Sequence, residues 1–167
     1  MYPIRACMLD VGRMYFPIEY VEEIATYMAW YKLNELHLGT NNSRVQTGYT
    51  AFRLEVDDEY IQPIVSKDGS YHKETYRDFQ KNVEPYGIDI ITEIDTPAHS
   101  GAFANIEDGK LMMDFNHLDL RTTEKYDVAI SVVKKILDEY LGESINDPNR
   151  VIQEDVFHIG TDEYPTS

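Results

Sequence analysis

The sequence predicts an α/β fold built on a parallel sheet, and three observations carry that prediction. Short apolar runs alternate with longer amphipathic stretches along the 167 residues, the pattern of successive βαβ units. No internal repeat, low-complexity tract or Pro-, Gly- or Ser-rich linker interrupts the alternation, so residues 1–167 read as a single domain. Polar and ionisable residues follow each strand-like run: Asp10 and Arg13, then Asn41 and Asn42, then Asp95 and His99, then Asp162 and Glu163. That is the edge at which α/β sheets and barrels build their sites.

The elements follow in order. Ile4 to Leu9 is a strand-like run ended by the polar turn Asp10-Val11-Gly12-Arg13. Ile18, Val21, Ile24, Met28 and Tyr31 recur at spacings of three and four, which predicts a helix over 18–32 and places Trp30 in packing. Glu35 to Leu38 is a second strand, running into the turn formers Gly39 to Ser43. Residues 40–72 read as an irregular excursion, a feature that compact domains usually keep for function. Lys73 to Tyr86 is a second helix, with Gly87 as its C-terminal cap. The β-branched run Ile88 to Ile94 is the third strand, and Asp95-Thr96-Pro97 bounds it. Residues 123–141 form the clearest helix, with Val128, Val132, Val133, Ile136, Leu137 and Tyr140 on one stripe. Asp155 to Ile159 is a fourth strand, broken by Gly160.

Composition bounds the function. With 43% apolar residues the chain can bury a sizeable core, and with 12% aromatics it is not a disordered segment. Thirty carboxylates against fifteen Lys and Arg give a net charge of −15, which disfavours nucleic acid and anionic lipid as partners. The lone Cys7 excludes an internal disulfide and a cysteine-based zinc site. No run is long and apolar enough to cross a membrane as a helix, and Met1 to Arg5 lacks the pattern of a signal peptide.

Three clusters could carry chemistry. In His158-Ile159-Gly160-Thr161-Asp162-Glu163 two adjacent carboxylates follow a strand and a glycine. Crowded, partly desolvated acids raise the pKa of one of them, which makes a proton donor near neutral pH; the alternative is solvated loop charge. In Glu93-Ile94-Asp95-Thr96-Pro97-Ala98-His99-Ser100, Asp95 and His99 reach the same rim, or else Asp95 only caps a turn before proline. Arg5 lies in the first apolar run and, facing inward, needs a carboxylate such as Asp10 or a ligand such as a sugar hydroxyl.

The ordered set Arg5 to Arg13, Met28 to His37, Phe52 to Glu55, Glu93 to Ser100 and His158 to Glu163 resembles the family-20 glycoside hydrolases, the β-N-acetylhexosaminidases and their lacto-N-biosidase relatives. The resemblance implies a TIM (β/α)8 barrel and substrate-assisted retaining catalysis on N-acetylhexosamine-containing glycans, with no cofactor and no metal. In that scheme the sugar's 2-acetamido oxygen attacks the anomeric carbon. Carried over by motif, Glu163 is the acid/base, Asp162 orients the acetamido group, Arg5 binds the C3 and C4 hydroxyls, and His99 sits behind Glu163. Asp10, Asn42, Asp95 and His158 support them. Relatives are often secreted, surface-bound or lysosomal, which leaves the compartment of this chain open.

Departures from the pattern accompany the matches. Ala6 and Ala98 replace glycines, Gly39 stands where a second histidine is common, and Asn42 replaces an aspartate that contacts the histidine. The last change predicts weaker coupling of His99 to Glu163. A whole barrel needs eight βα units in about 250 residues, whereas four strands are legible here. The chain therefore reads as the N-terminal half of a catalytic barrel, without the aromatic walls that later strands supply. Half a barrel also predicts self-association through exposed sheet edges. Two other readings compete. One is a catalytically incompetent carbohydrate-binding or scaffolding fragment. The other is a metal-dependent barrel hydrolase using His37, Asp95, His99, His158 and Asp162, against which Gly39 breaks a His-x-His pair.

Overall fold

The computed structural model describes residues 2–44 and 46–165. Four parallel strands form the main sheet: β1 (Ala6–Asp10), β2 (Glu35–Gly39), β5 (Asp89–Thr96) and β6 (His158–Gly160), in the order β1-β2-β5-β6. A separate antiparallel hairpin pairs β3 (Asn41–Arg44) with β4 (Tyr49–Phe52). Three helices, α1 (Ile18–Trp30), α2 (Lys73–Val83) and α3 (Thr123–Leu141), supply the helical layer. This is the expected α/β class with a parallel sheet. The described residues leave the sheet open, with β1 and β6 as its edges, and no closed barrel is formed.

Strand periodicity decides which face is buried. Leu36, Leu38, Ile90 and Ile94 point one way and are almost fully buried with Val21, Ala25, Met28, Tyr76, Phe79 and Val83 of α1 and α2. The hydroxyls of Tyr76 and Thr92 join α2 to β5 at 2.8 Å inside this layer. Ala6, Met8 and Asp10, in register with Glu35, His37 and Gly39, take the opposite face, as do Ile91 and Glu93. α3 buries Ala129, Val132, Ile136 and Tyr140 and is tied to the excursion: Tyr140 donates to Glu55 O, and Glu139 accepts from the N–H groups of Asp57 and Asp58.

Several expectations are corrected. Trp30 is 81% exposed at the end of α1 rather than packed. The excursion at 40–72 is not wholly irregular, because Asn41 to Ser43 enter the hairpin that polar composition concealed. The fourth strand is only His158–Gly160, and Val156 and Ile159 are exposed because β6 has no outer neighbour among the described residues.

Candidate active site

Because all four strands of the main sheet run parallel, their C-terminal ends share one rim. A continuous polar chain crosses it. Arg13 donates to Asp10 through its backbone N–H (2.9 Å) and its Nε (3.0 Å). Asn42 Nδ2 donates to the same carboxylate at 2.6 Å, and Asn42 Oδ1 lies 3.1 Å from His99 Nδ1. His99 Nε2 then stands 3.2 Å from Glu163 Oε2, with Asp95 Oδ2 at 3.8 Å and Asp162 Oδ2 at 3.9 Å.

The first half of this chain fixes the second. Asp10 accepts only, so the Asn42 amide must turn its nitrogen toward it and its oxygen toward His99. His99 therefore carries a proton on Nδ1, and in the neutral ring Nε2 presents a lone pair to Glu163. A protonated Glu163 can donate to that lone pair, which is the resting state of a general acid. Asn42 thus contacts the histidine through a neutral group.

Local backbone holds the histidine and the carboxylates in place. Buried Asn41 clamps the end of β5, donating from Nδ2 to Asp95 O (2.7 Å) and His99 O (3.1 Å) and accepting from Asp95 N–H at 2.7 Å. Asp95 Oδ1 accepts from Thr161 N–H at 3.2 Å. Gly160 is at φ +68°, and a Cβ there would overlap the Asp95 carboxyl. His99, Thr161 and Glu163 also have positive φ (51°, 82° and 53°), a strained arrangement for non-glycine residues that concentrates at functional sites. Crowding does raise one acid, and it is Asp95: burial, reinforced by the charges of Asp162 and Glu93, pushes its carboxyl up to about 7.

One layer below the rim, Glu93 sits between His37 Nε2 (2.8 Å) and His158 Nδ1 (2.9 Å). His99 and Glu163 open into a cleft of about 480 Å³ lined also by Arg13, Ser43, Arg44 and Asn116.

Of the expected site residues, Asp10, Asn42, Asp95, His99, Asp162 and Glu163 come together, and His158 lies just beneath. Arg5 does not join them. It precedes β1, and its guanidinium rests on the carbonyls of Tyr2, Pro3 and Lys32 at the opposite, N-terminal edge of the sheet. It pairs with neither Asp10 nor the rim because its strand separates them. Asp162 and Glu163 are 61% and 65% exposed at their side chains, so nothing within the described residues encloses them.

Asn41 is at the rim as expected, and its clamp on β5 is what the sequence did not show. Two further residues matter that motif reasoning did not single out. His117 donates from Nε2 to Glu163 O at 3.2 Å. Fully buried Arg53 donates to Val11 O (2.9 Å), Gly12 O (3.2 Å), Gly69 O (2.8 Å) and Asp68 Oδ1 (2.7 Å), fixing the turn behind Asp10 and Arg13. A lone arginine in a polar excursion gave no periodic signal for this.

A parallel α/β sheet that gathers carboxylates and a histidine at its strand ends has the layout of the barrel-type α/β enzymes. The model of the glycosyl hydrolase family 20 catalytic domain matches residues 2–167, and the chain belongs to that family. It is 24% identical over 172 residues to a beta-hexosaminidase of Akkermansia muciniphila, covering 99% of this chain and 35% of that protein. A beta-hexosaminidase of Emericella nidulans is 27% identical over 187 residues, with 98% of this chain and 28% of the relative covered. Solved structures agree in fold. A family-20 beta-N-acetylglucosaminidase superimposes with a TM-score of 0.72 at 20% identity, covering 99% of this chain and 38% of its own. The Vibrio harveyi exo-beta-N-acetylglucosaminidase in complex with N-acetylglucosamine gives 0.70 at 22% identity, covering 97% and 28%. The chain thus spans about a third of the length of these curated relatives.

Proposed function

We propose that residues 1–167 form the N-terminal half of a single catalytic barrel that removes β-linked N-acetylhexosamine from glycans by substrate-assisted, retaining hydrolysis. Glu163 protonates the leaving oxygen and afterwards takes the proton of the incoming water. Asp162 holds the acetamido N–H so that the acetamido oxygen attacks the anomeric carbon. The bond from that carbon to the leaving oxygen breaks as its bond to the acetamido oxygen forms; water then opens the oxazolinium ring. His99, fixed by Asn42 and Asp10, sets the proton affinity of Glu163, while Asp95 keeps Asp162 and Thr161 in register.

The observation that carries the reading is the 3.2 Å approach of His99 Nε2 to Glu163, with Asp162 beside it. The contact from Arg5 to the C3 and C4 hydroxyls requires its guanidinium to exchange three carbonyl partners for the sugar, and has the least support. The exposure of Asp162 and Glu163 favours a second statement: the isolated chain binds sugar weakly and does not turn over. An aryl β-N-acetylglucosaminide assayed with this chain alone, and with the chain joined to the C-terminal part of a family-20 catalytic domain, tests both. Turnover only in the joined protein is expected; absence of turnover there, with sugar still bound, points to the binding-module reading. Zinc-dependent activity whose metal binding is lost in His99→Ala or Asp162→Asn, at the rim, points to the metallohydrolase reading.

A further inference from the structure

His37 of β2, Glu93 of β5 and His158 of β6 converge on the sheet face turned away from the helices, and hydrogen bonding does not account for how they meet. The Gly160 N–H donates to His158 Nδ1 at 3.1 Å, which makes that nitrogen an acceptor. Yet the same nitrogen faces Glu93 Oε1, also an acceptor, at 2.9 Å. On the other side His37 Nε2 lies 2.8 Å from Glu93 Oε2 but, among the described residues, is buried without a hydrogen-bond partner. One imidazole acceptor, one unpartnered imidazole nitrogen and a carboxylate thus turn toward common space, with ring centroids 4.6 Å apart. Converging acceptors in a partly buried layer are costly unless a cation lies among them.

The separations suit one. Ligand atoms at about 2.0–2.1 Å from a tetrahedral metal stand roughly 3.3 Å apart, and the three donor atoms here lie within 4.8 Å of one another. Two imidazoles and one carboxylate are a borderline donor set, matched to zinc-like ions rather than to the all-oxygen preferences of calcium and magnesium. We infer that His37, Glu93 and His158 bind one divalent transition-metal ion of the zinc type, which ties β2, β5 and β6 together below the rim. The role is structural, and it is separate from the proposed hydrolysis. β6 gains most, because it meets β5 only at Glu93–His158 and Thr96–Gly160, across a register shift.

The test uses the purified chain, with Zn2+ titrated against a chromophoric chelator and Co2+ as a coloured reporter. One equivalent of Zn2+ bound at micromolar affinity or tighter, a visible Co2+ spectrum and a raised melting midpoint are expected, with no response to Mg2+. His158→Ala and Glu93→Gln should each weaken binding by at least about tenfold, while His99→Ala and Asp162→Asn bind as the unaltered chain does. Two variants are used because His158 is half-exposed and glutamine keeps the volume of Glu93, so both are expected to fold, which far-ultraviolet circular dichroism verifies. No saturable uptake below about 1 mM Zn2+ overturns the inference. So does binding that survives both substitutions, or binding lost only in His99→Ala, which would place the ion at the rim.

Discussion

Glu163 meets His99 through a chain of groups whose roles are forced one by one, from Arg13 through Asp10 and Asn42 to the imidazole. Asn42 is the link that turns a fixed charge into a fixed tautomer. Asn42→Ala should therefore release the proton from His99 Nδ1, and heteronuclear NMR of the ring nitrogens should show a single tautomer become a mixture. An unchanged ring spectrum would mean that Asn42 does not set it. Asp95 supplies a second check at the same scale. The folded chain holds the Asp95 proton up to about pH 7, whereas the ordinary value is 3.8. Between those values the unfolded chain ionises and the folded one does not, so the stability that Asp95 contributes is complete below the lower value and lost as pH rises through the upper one. Asp95→Asn does not titrate, so its melting midpoint should gain on that of the unaltered chain across that window and level off above it. A difference independent of pH would contradict the assignment. The motif placed Asp95 and His99 at one rim, and the resemblance put His99 behind Glu163 with Asn42 against it; the tautomer and the clamp were not legible there. The meeting of Asp95 and His99 depends on Asn41, which gathers both from across the rim.

Elements with one strong period were legible, and elements without one were not. α3 runs over Thr123–Leu141 as its stripe predicts, and Thr122 caps it by accepting from Lys125 N–H. β2 and β5 show the alternation of a sheet with one face under helices. The β3–β4 hairpin escaped notice because Asn41, Asn42 and Ser43 are turn formers by composition; they are strand residues here because their side chains satisfy the rim and Gly101 N–H. β6 was read too long because Val156 and Ile159 are apolar, yet an edge strand with no outer neighbour among the described residues leaves them exposed. Two substitutions probe how elements hold the site. Arg53→Ala removes the buried guanidinium that joins the excursion to the Val11–Gly12 turn, leaving its carbonyl partners unpaired. A loss of about 3–5 kcal/mol is expected, seen as a fall of roughly 10 °C in melting midpoint; a fall of a degree or two would show that the network is dispensable. Gly160→Ala combines a left-handed backbone with overlap of Asp95, and should cost about 1–3 kcal/mol while moving Glu163 off His99. A stable variant with an unperturbed His99 ring would contradict that reading.

At the scale of the whole molecule, the described residues give a sheet with one face under helices and one without them, and two unpaired edges. The helix-free face is more polar than the apolar run of β5 suggests, because Ile90 and Ile94 point toward α1 and α2. An apolar groove lies between α3 and β6, lined by Pro97, Leu118, Ile130, Val133, Leu137 and Ile159. Edges and groove together predict reversible association, opposed by the net charge of −15 only within the ~8 Å screening length of physiological salt. Light scattering should show mass rising with concentration and with salt, and Ile159→Glu should lower it; a monodisperse monomer with a sharp melt would show that the open sheet is self-sufficient. Above all of this stands the claim that Glu163 donates a proton to the leaving oxygen. The most direct measurement compares Glu163→Gln with the parent, in the chain joined to the C-terminal part of a family-20 catalytic domain, on one substrate with a poor leaving group and one with an activated aryl group. The account predicts a loss of about 10²–10⁴ on the first and a much smaller loss on the second. Equal losses on both would contradict it.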